Sequence, residues 1–164
     1  YFVTDDTGRK ERGKIDNRFF NGMLSLGVGH HRFSAAYQNL SGDNDFQVIN
    51  GADPYNVNLS TYWTFWREEE DAWQARYDYD FAGLGLPGLS LMTRYISAYN
   101  VKSKTSNKGK EWERDTDLVY SFQNSSLKGL RVHLRNVTYR SGRVAGAPDV
   151  DENRVILSYT LTLL

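Results

Sequence analysis

The chain has 164 residues, with 20 Lys and Arg against 20 Asp and Glu, no Cys and 14% aromatic residues. No apolar run is long enough to cross a bilayer as a helix, the zero net charge without a basic block excludes the electrostatic footprint of a nucleic-acid binder, and the missing Cys excludes disulfides, thiolate metal sites and Cys nucleophiles. The opening Tyr1-Phe2-Val3-Thr4 has neither an initiator Met nor a signal region and reads as a mid-sequence or processed start.

The apolar period along the chain is two, the period of strands whose two faces see different media. After a short strand over 1–5, Phe20, Gly22, Leu24, Leu26 and Val28 share one parity against Asn17, Phe19, Asn21, Met23 and Ser25. A tight turn at Gly29-His30-His31 leads to Phe33, Ala35 and Tyr37 opposing Arg32, Ser34 and Ala36. Trp73, Ala75, Tyr77 and Tyr79 then oppose Gln74, Arg76, Asp78 and Asp80, and the turn Gly83 to Gly88 leads to Leu89, Leu91, Thr93 and Tyr95 opposing Ser90, Met92, Arg94 and Ile96. Thr116, Leu118 and Tyr120 oppose Glu113, Asp115 and Asp117. Leu130, Val132 and Leu134 oppose Arg131, His133 and Arg135, and Val155, Leu157 and Tyr159 oppose Arg154, Ile156 and Ser158.

Connections alternate as well: 82–88 and 124–129 are short, whereas 43–71, 97–110 and 141–151 are long and polar. Residues 55–66 read as a strand, yet one more crossing would put the tight turns at Gly29 and Gly85 on opposite sides, so 43–71 is expected to be one large loop. The expected strands are 1–5, 16–28, 31–42, 72–82, 89–97, 112–123, 130–140 and 152–164, with the C-terminus on the short-turn side. Short turns on one side and long loops on the other are the pattern of outer-membrane barrels. A soluble sandwich would carry a mixed, Lys-rich polar face. Here every Lys falls in a connection or its margin while Arg76, Arg94, Arg131, Arg135 and Arg154 sit mid-strand, and Tyr and Trp of the apolar parity cluster near strand ends as girdles do. The expected fold is all-β, an antiparallel transmembrane β-barrel.

The segment Trp73-Gln74-Ala75-Arg76-Tyr77-Asp78, the run Gly85-Leu86-Pro87-Gly88-Leu89-Ser90-Leu91-Met92-Thr93-Arg94-Tyr95 and the close Asp151-Glu152-Asn153-Arg154-Val155-Ile156-Leu157-Ser158-Tyr159 resemble the OprD (Occ) family of substrate-specific outer-membrane channels. The resemblance implies a barrel of about eighteen strands, of which residues 1–164 are the C-terminal portion, about eight strands of a single domain. It implies passive uptake of small carboxylate-containing molecules, in the outer membrane of a Gram-negative bacterium, along a ladder of basic residues in the lumen. Arg131, His133, Arg135 and Arg154 match the ladder's positions. Alternate residues of a strand face one way about 7 Å apart, so a carboxylate can pass between cations without being desolvated alone, and His133 leaves the middle rung neutral near pH 7. The expected partners are outer-membrane lipid and lipopolysaccharide, small-molecule carboxylates and the insertion machinery that reads a terminal strand such as Tyr159 to Leu164, with no nucleic acid.

Plainer readings stand beside these. Arg in a barrel also pairs with acids across the wall, and Glu113, Asp115 and Asp117 lie on the strand beside Arg131 and Arg135. Asp78 and Asp80 are expected to pair with Arg76 or Arg94. His30-His31 has no third ligand nearby, Asp43-Asn44-Asp45 lacks the Gly and distal Glu of a calcium loop, and no cofactor or metal is expected. No hydrolase motif is present, and no nucleophile stands beside His133, so an outer-membrane hydrolase is disfavoured and no catalytic residue is assigned. The other alternative is a small structural barrel plugged by paired side chains. The 43–71 connection is far longer than a hairpin needs. Its aromatics predict that it folds into the pore, with Ser60, Tyr62 and Thr64 turned to the eyelet opposite the arginines; Thr64 stands where the family resemblance leads one to expect an acid. The aromatic run from Tyr62 to Trp66 favours the OccK branch, which takes cyclic and aromatic carboxylates.

Overall fold

A computed structural model describes residues 1–5, 14–48, 55–103, 106–123, 125–142, 144 and 148–161. The alternation becomes eight strands, β1 (Phe2–Asp5), β2 (Asp16–Val28), β3 (His31–Asp43), β4 (Asp71–Asp80), β5 (Leu89–Ser103), β6 (Ser106–Ser121), β7 (Leu130–Arg140) and β8 (Val150–Tyr159). They form one antiparallel sheet in the order β1 to β8, so every connection joins neighbours and none crosses over. This is the meander of an up-and-down barrel wall. Residues 162–164 of the expected last strand lie outside the described residues.

Turn chemistry fixes the short side. Gly29 turns β2 into β3 at φ 58. After β4 the Asp80 side chain accepts from the Ala82 N–H at 2.9 Å and caps a 3-10 turn over Phe81–Leu84. Gly88, at φ 90, then accepts the Ser121 N–H at 2.8 Å, and a Cβ there would stand 2.3 Å from the Ser121 carbonyl oxygen. Only glycine fits that approach.

On the other side the sequence reading needs correction. The stretch 97–110 is not a long connection, because β5 continues to Ser103 and β6 begins at Ser106, extending this hairpin past its neighbours. Lys102, Lys108 and Lys110 therefore lie in strands. The alternation broke here because the register shifts between Ala98 and Val101, with Asn100 at φ 61. Such a bulge adds a residue and flips the face of the residues beyond it, which turns Val101 inward against Phe65.

The two faces separate by parity. Leu24 is 82% exposed and Leu157 68%, and Phe20, Leu26, Trp73, Leu134 and Tyr159 are also exposed, while Tyr77, Leu91 and Leu118 are half-buried beside their sheet neighbours. An apolar surface of this extent is a lipid-facing surface. Trp73, Tyr95 and Trp112 run in contact along it, with ring centroids 5.6 and 5.4 Å apart, and Tyr79–Phe81 and Tyr120–Phe122 pairs, each at 4.8 Å, mark the short-turn end. On β6 the separation of Trp112 from Tyr120 corresponds to about 27 Å along a strand, or ~21 Å of height at a 40° tilt. These rows are the two aromatic girdles.

The opposite face carries the chain between β3 and β4, and the buried side chains collect under it. Phe65, Ala72, Ile96, Ala98, Val101 and Val144 form one cluster, with Trp63 against it; Phe19, Leu40 and Phe46 form a second, flanked by Phe2 and Trp66. Between Asp43, the last residue of β3, and Asp71, the first of β4, the described residues contain no strand, so 43–71 makes no ninth crossing.

Candidate functional site

Register sorts the inner face into rows of charge. Arg32, Asp78, Met92, Asp117, Arg135 and Arg154 are successive cross-strand partners from β3 to β8. One step toward the loop, the row runs Ser34, Arg76, Arg94, Asp115, Val137 and Glu152. Five arginines thus meet four carboxylates in these two rows.

Pairing follows proximity. Arg135 holds Asp117 with two bonds of 2.7 Å, and Arg76 holds Asp78 on its own strand with bonds of 2.8 and 2.6 Å. Arg94 reaches Asp115 at 2.8 Å from Nε and 2.7 Å from Nη2, and Arg154 is paired with Glu152, 2.8 Å from Nη2. Two-pronged pairs of this kind are the strong ones. Asp80 does not pair with Arg76 or Arg94 as expected; the 3-10 turn takes its carboxylate, and Asp115 takes Arg94.

The four expected rungs do share one face, with Arg135 directly opposite Arg154 across β7 and β8. They are not a line of free cations. Arg135 and Arg154 each have their own acid, and His133 lies 3.2 Å from Asp117 without an aligned hydrogen bond. Arg131 differs because its cross-strand neighbours, Ser121 and Ser158, are neutral. Among the described residues no carboxylate lies within 4.0 Å of Arg131 or Arg32. Both line an open cleft of about 580 Å³ on the inner face, with Asp78, Asp117, His133 and Arg135.

The loop is held by acids of the same wall. Ser60 and Trp63 close a turn in which the Ser60 N–H donates to the Trp63 carbonyl at 3.1 Å. This turn sits on the fully buried Glu113, whose carboxylate accepts from Ser60 Oγ at 2.7 Å and from the backbone N–H groups of Tyr62 and Trp63 at 2.8 Å each. Asp115 accepts from the Thr61 N–H at 3.3 Å while bound to Arg94, which also donates to the Leu59 carbonyl at 3.2 Å. Glu113 and Asp115 are therefore not partners of Arg131 and Arg135; they anchor the loop, because backbone N–H groups of the turn reach them and Asp117 takes Arg135.

Aromatic packing completes the seat. Tyr139 of β7 meets Tyr62 at 5.2 Å and Trp63 at 5.5 Å, and the Arg67 guanidinium lies 4.3 Å over the Trp63 ring. Phe65 is buried at φ 52, an unusual backbone for an aromatic residue, and its carbonyl accepts from Gln38 Nε2. Glu70 is fully buried beside Glu111, and burial first, then the proximity of Glu111, push its carboxyl well above the ordinary 4.5. Glu111 in turn accepts from the Tyr139 hydroxyl and lies 3.5 Å from Arg67 Nε.

The expected constriction residues are thus placed differently from the sequence reading. The loop does not lie opposite the arginines. Its turn rests on β6 and β7, the latter being the strand that carries Arg131 to Arg135. The Ser60 hydroxyl points to Glu113 rather than into open lumen, the Tyr62 ring packs on Tyr139, and the Thr64 carbonyl accepts from Asn56 Nδ2 at 2.8 Å. Sequence reasoning missed Arg32, Arg67, Glu70, Glu111 and Tyr139. One signal was available: Glu111, Glu113, Asp115 and Asp117 put four acids on one face of β6, more than the arginines of β7 can use.

An up-and-down sheet with a lipid-facing apolar side, two aromatic girdles and a charged inner side bearing an infolded loop defines the wall of an outer-membrane pore. The chain matches the model of the outer membrane porin, OprD family, over residues 1–163. It is 36% identical to the porin-like protein GalP of Pseudomonas putida, an alignment covering 100% of this chain and 39% of that protein. Among solved structures, it is 46% identical to Pseudomonas aeruginosa OccK5 (OpdH), with a TM-score of 0.89 over 98% of this chain and 43% of that one. It is 37% identical to Pseudomonas aeruginosa OpdK with vanillate, with a TM-score of 0.88 over 96% of this chain and 41% of that one. The chain belongs to the OprD family of outer membrane porins and resembles its OccK members. Its place is the outer membrane of a Gram-negative bacterium, and its relatives are porins rather than enzymes. The chain spans about two fifths of the length of the relatives it matches.

Proposed function

We propose that this chain supplies the selective wall of a channel for passive uptake of small carboxylates. The observation that carries the reading is the surplus of cations below the docked loop: Arg135, Arg154, Arg76 and Arg94 are neutralised by the wall, whereas Arg131 and Arg32 line the cleft with no carboxylate within 4.0 Å among the described residues. A carboxylate that passes the loop then meets two guanidinium groups free to bind it. The paired rungs above present a polar, charge-balanced surface over which an anion can pass without being trapped, as throughput requires. A plugged barrel would leave no such surplus. A relative crystallised with vanillate, itself an aromatic carboxylate, and the aromatic loop turn of Tyr62 and Trp63 support carboxylates bearing a ring.

The test is the reversal potential of the native outer-membrane protein in planar bilayers under a salt gradient. Arg131→Ala combined with Arg32→Ala is expected to lower anion preference and to weaken block by benzoate. An unchanged reversal potential would remove both residues from the path and overturn the reading.

A further inference from the structure

We propose that the outer face of β6 to β8 holds a phosphate of an outer-leaflet lipid headgroup, with Arg114 as the central ligand. The outward residues of β6 between its two girdle aromatics, Trp112 and Tyr120, are Arg114, Thr116 and Leu118. Arg114 is exposed, one step inside the girdle at the end of the sheet that bears the long loop. A band ~25 Å tall crossed at a 40° tilt takes about five outward residues per strand. On β7 only Leu130, Val132 and Leu134 are apolar before Asn136 and Thr138 take over, so a polar wedge enters the band.

The wedge is built but not neutralised. Arg114 Nη2 donates to Asn136 Oδ1 at 3.0 Å and Thr138 Oγ1 at 3.3 Å, and Asn136 Nδ2 donates to Asn153 Oδ1 at 2.9 Å. Both partners of the guanidinium are neutral. The nearby outward carboxylate, Asp151, is gripped by Arg140 with bonds of 3.0 and 2.8 Å and meets Arg114 only as a distant charge, so among the described residues no carboxylate lies within 4.0 Å of Arg114. A cation at this depth calls for an anion from the membrane side.

Charge decides which anion. A second copy of this face would have to bring a carboxylate, and among the described residues the outward acids at this level already hold donors: Asp151 accepts from Arg140, and Asp71 accepts from Tyr37 at 2.7 Å and Asn39 at 2.9 Å. A phosphate offers several oxygens to the remaining guanidinium N–H groups and to the Asn153 amide. A headgroup at the level of Trp112 lies within reach of the long Arg114 side chain one step inside it.

The native protein, purified in detergent, can be titrated with diphosphoryl lipid A and with the same lipid stripped of phosphate, and retention read by native mass spectrometry. The wild type should retain the phosphorylated lipid roughly tenfold better. Arg114→Gln should abolish that preference, Arg114→Lys should keep part of it, and the lumenal Arg131→Gln should leave it unchanged. The heat-dependent gel shift of the barrel reports folding of each variant. The comparison of the two lipids on the wild type decides the matter even if a variant does not fold. Equal retention of both lipids, an unaltered preference in folded Arg114→Gln, or a multimer mass that is lost with Arg114→Gln would overturn the proposal, the last by assigning the wedge to a subunit contact.

Discussion

A buried carboxylate is tolerable only where donors meet it, and Glu113 meets three from the loop turn at 60–63. Glu113→Gln keeps the shape but replaces a charged acceptor by one neutral oxygen and an amide with no acceptor facing it. Loop docking should weaken by about 3 kcal/mol, the loss expected of charge-assisted bonds. Hydrogen exchange at Tyr62 and Trp63 should then accelerate roughly a hundredfold; unchanged protection would show that the aromatic seat alone holds the turn. Asp117 tests the opposite sense. It neutralises Arg135 and lies beside His133, so Asp117→Asn should release positive charge into the cleft. Anion preference in bilayers is expected to rise, the reverse of the Arg131→Ala effect.

At the scale of the element, the described residues between Asn44 and Glu70 form a docked body rather than a tether. It enters and leaves through left-handed residues, Asn44 at φ 71 and Glu69 at φ 62, and buries Phe65 against the wall. Deleting 57–66 should raise single-channel conductance and weaken substrate discrimination, and equal conductance would place the loop outside the current path. Glu70 adds a pH dependence whose sign is fixed. Its folded-state pKa is raised above the ordinary 4.5, so the docked loop binds a proton that the undocked loop releases. The contribution of Glu70 to docking is therefore fully present below about 4.5 and is lost as pH rises from there through the raised value. The groups that act on it are Glu111 from the wall and Arg67 from the loop itself. Glu70→Gln should flatten the pH dependence of loop exchange across that window, and a slope equal to the wild type's would assign it elsewhere.

For the whole molecule, the medium on each side of the sheet sets the energetics. Leu134 is the third outward residue of β7, counting from the short-turn side, and is exposed to lipid. Leu134→Arg should cost roughly 2–4 kcal/mol of folding stability in bilayers, the value for a cation near the midplane. Chemical unfolding from vesicles measures it, and no loss would contradict a lipid-facing parity. The sheet's two edges make a further demand. β1 and β8 pair on one side only among the described residues, and an open edge inside hydrocarbon is not viable. Residues 1–164 by themselves should therefore give no heat-modifiable monomer band on a gel, and such a band would show that these two edges find partners.

The period of two decided most of the architecture from the sequence alone. A strand has only two faces, so the positions of Leu24, Leu157, Arg76 and Arg135 were set by parity and by turn residues such as Gly29 and Gly88. Parity failed only where a bulge inserted a residue, near Asn100, because the inserted residue has no signature in the alternation. The identity of the family was legible for the same reason, in strand and turn segments whose spacing is rigid. What the tertiary structure decided is who meets whom. Whether Asp115 neutralises Arg131, Arg135 or Arg94 depends on register between strands far apart in sequence, and the seating of Ser60 on Glu113 joins residues 53 positions apart. Charge partners compete across such distances, and only the assembled sheet fixes which arginines, here Arg131 and Arg32, have no carboxylate within 4.0 Å among the described residues.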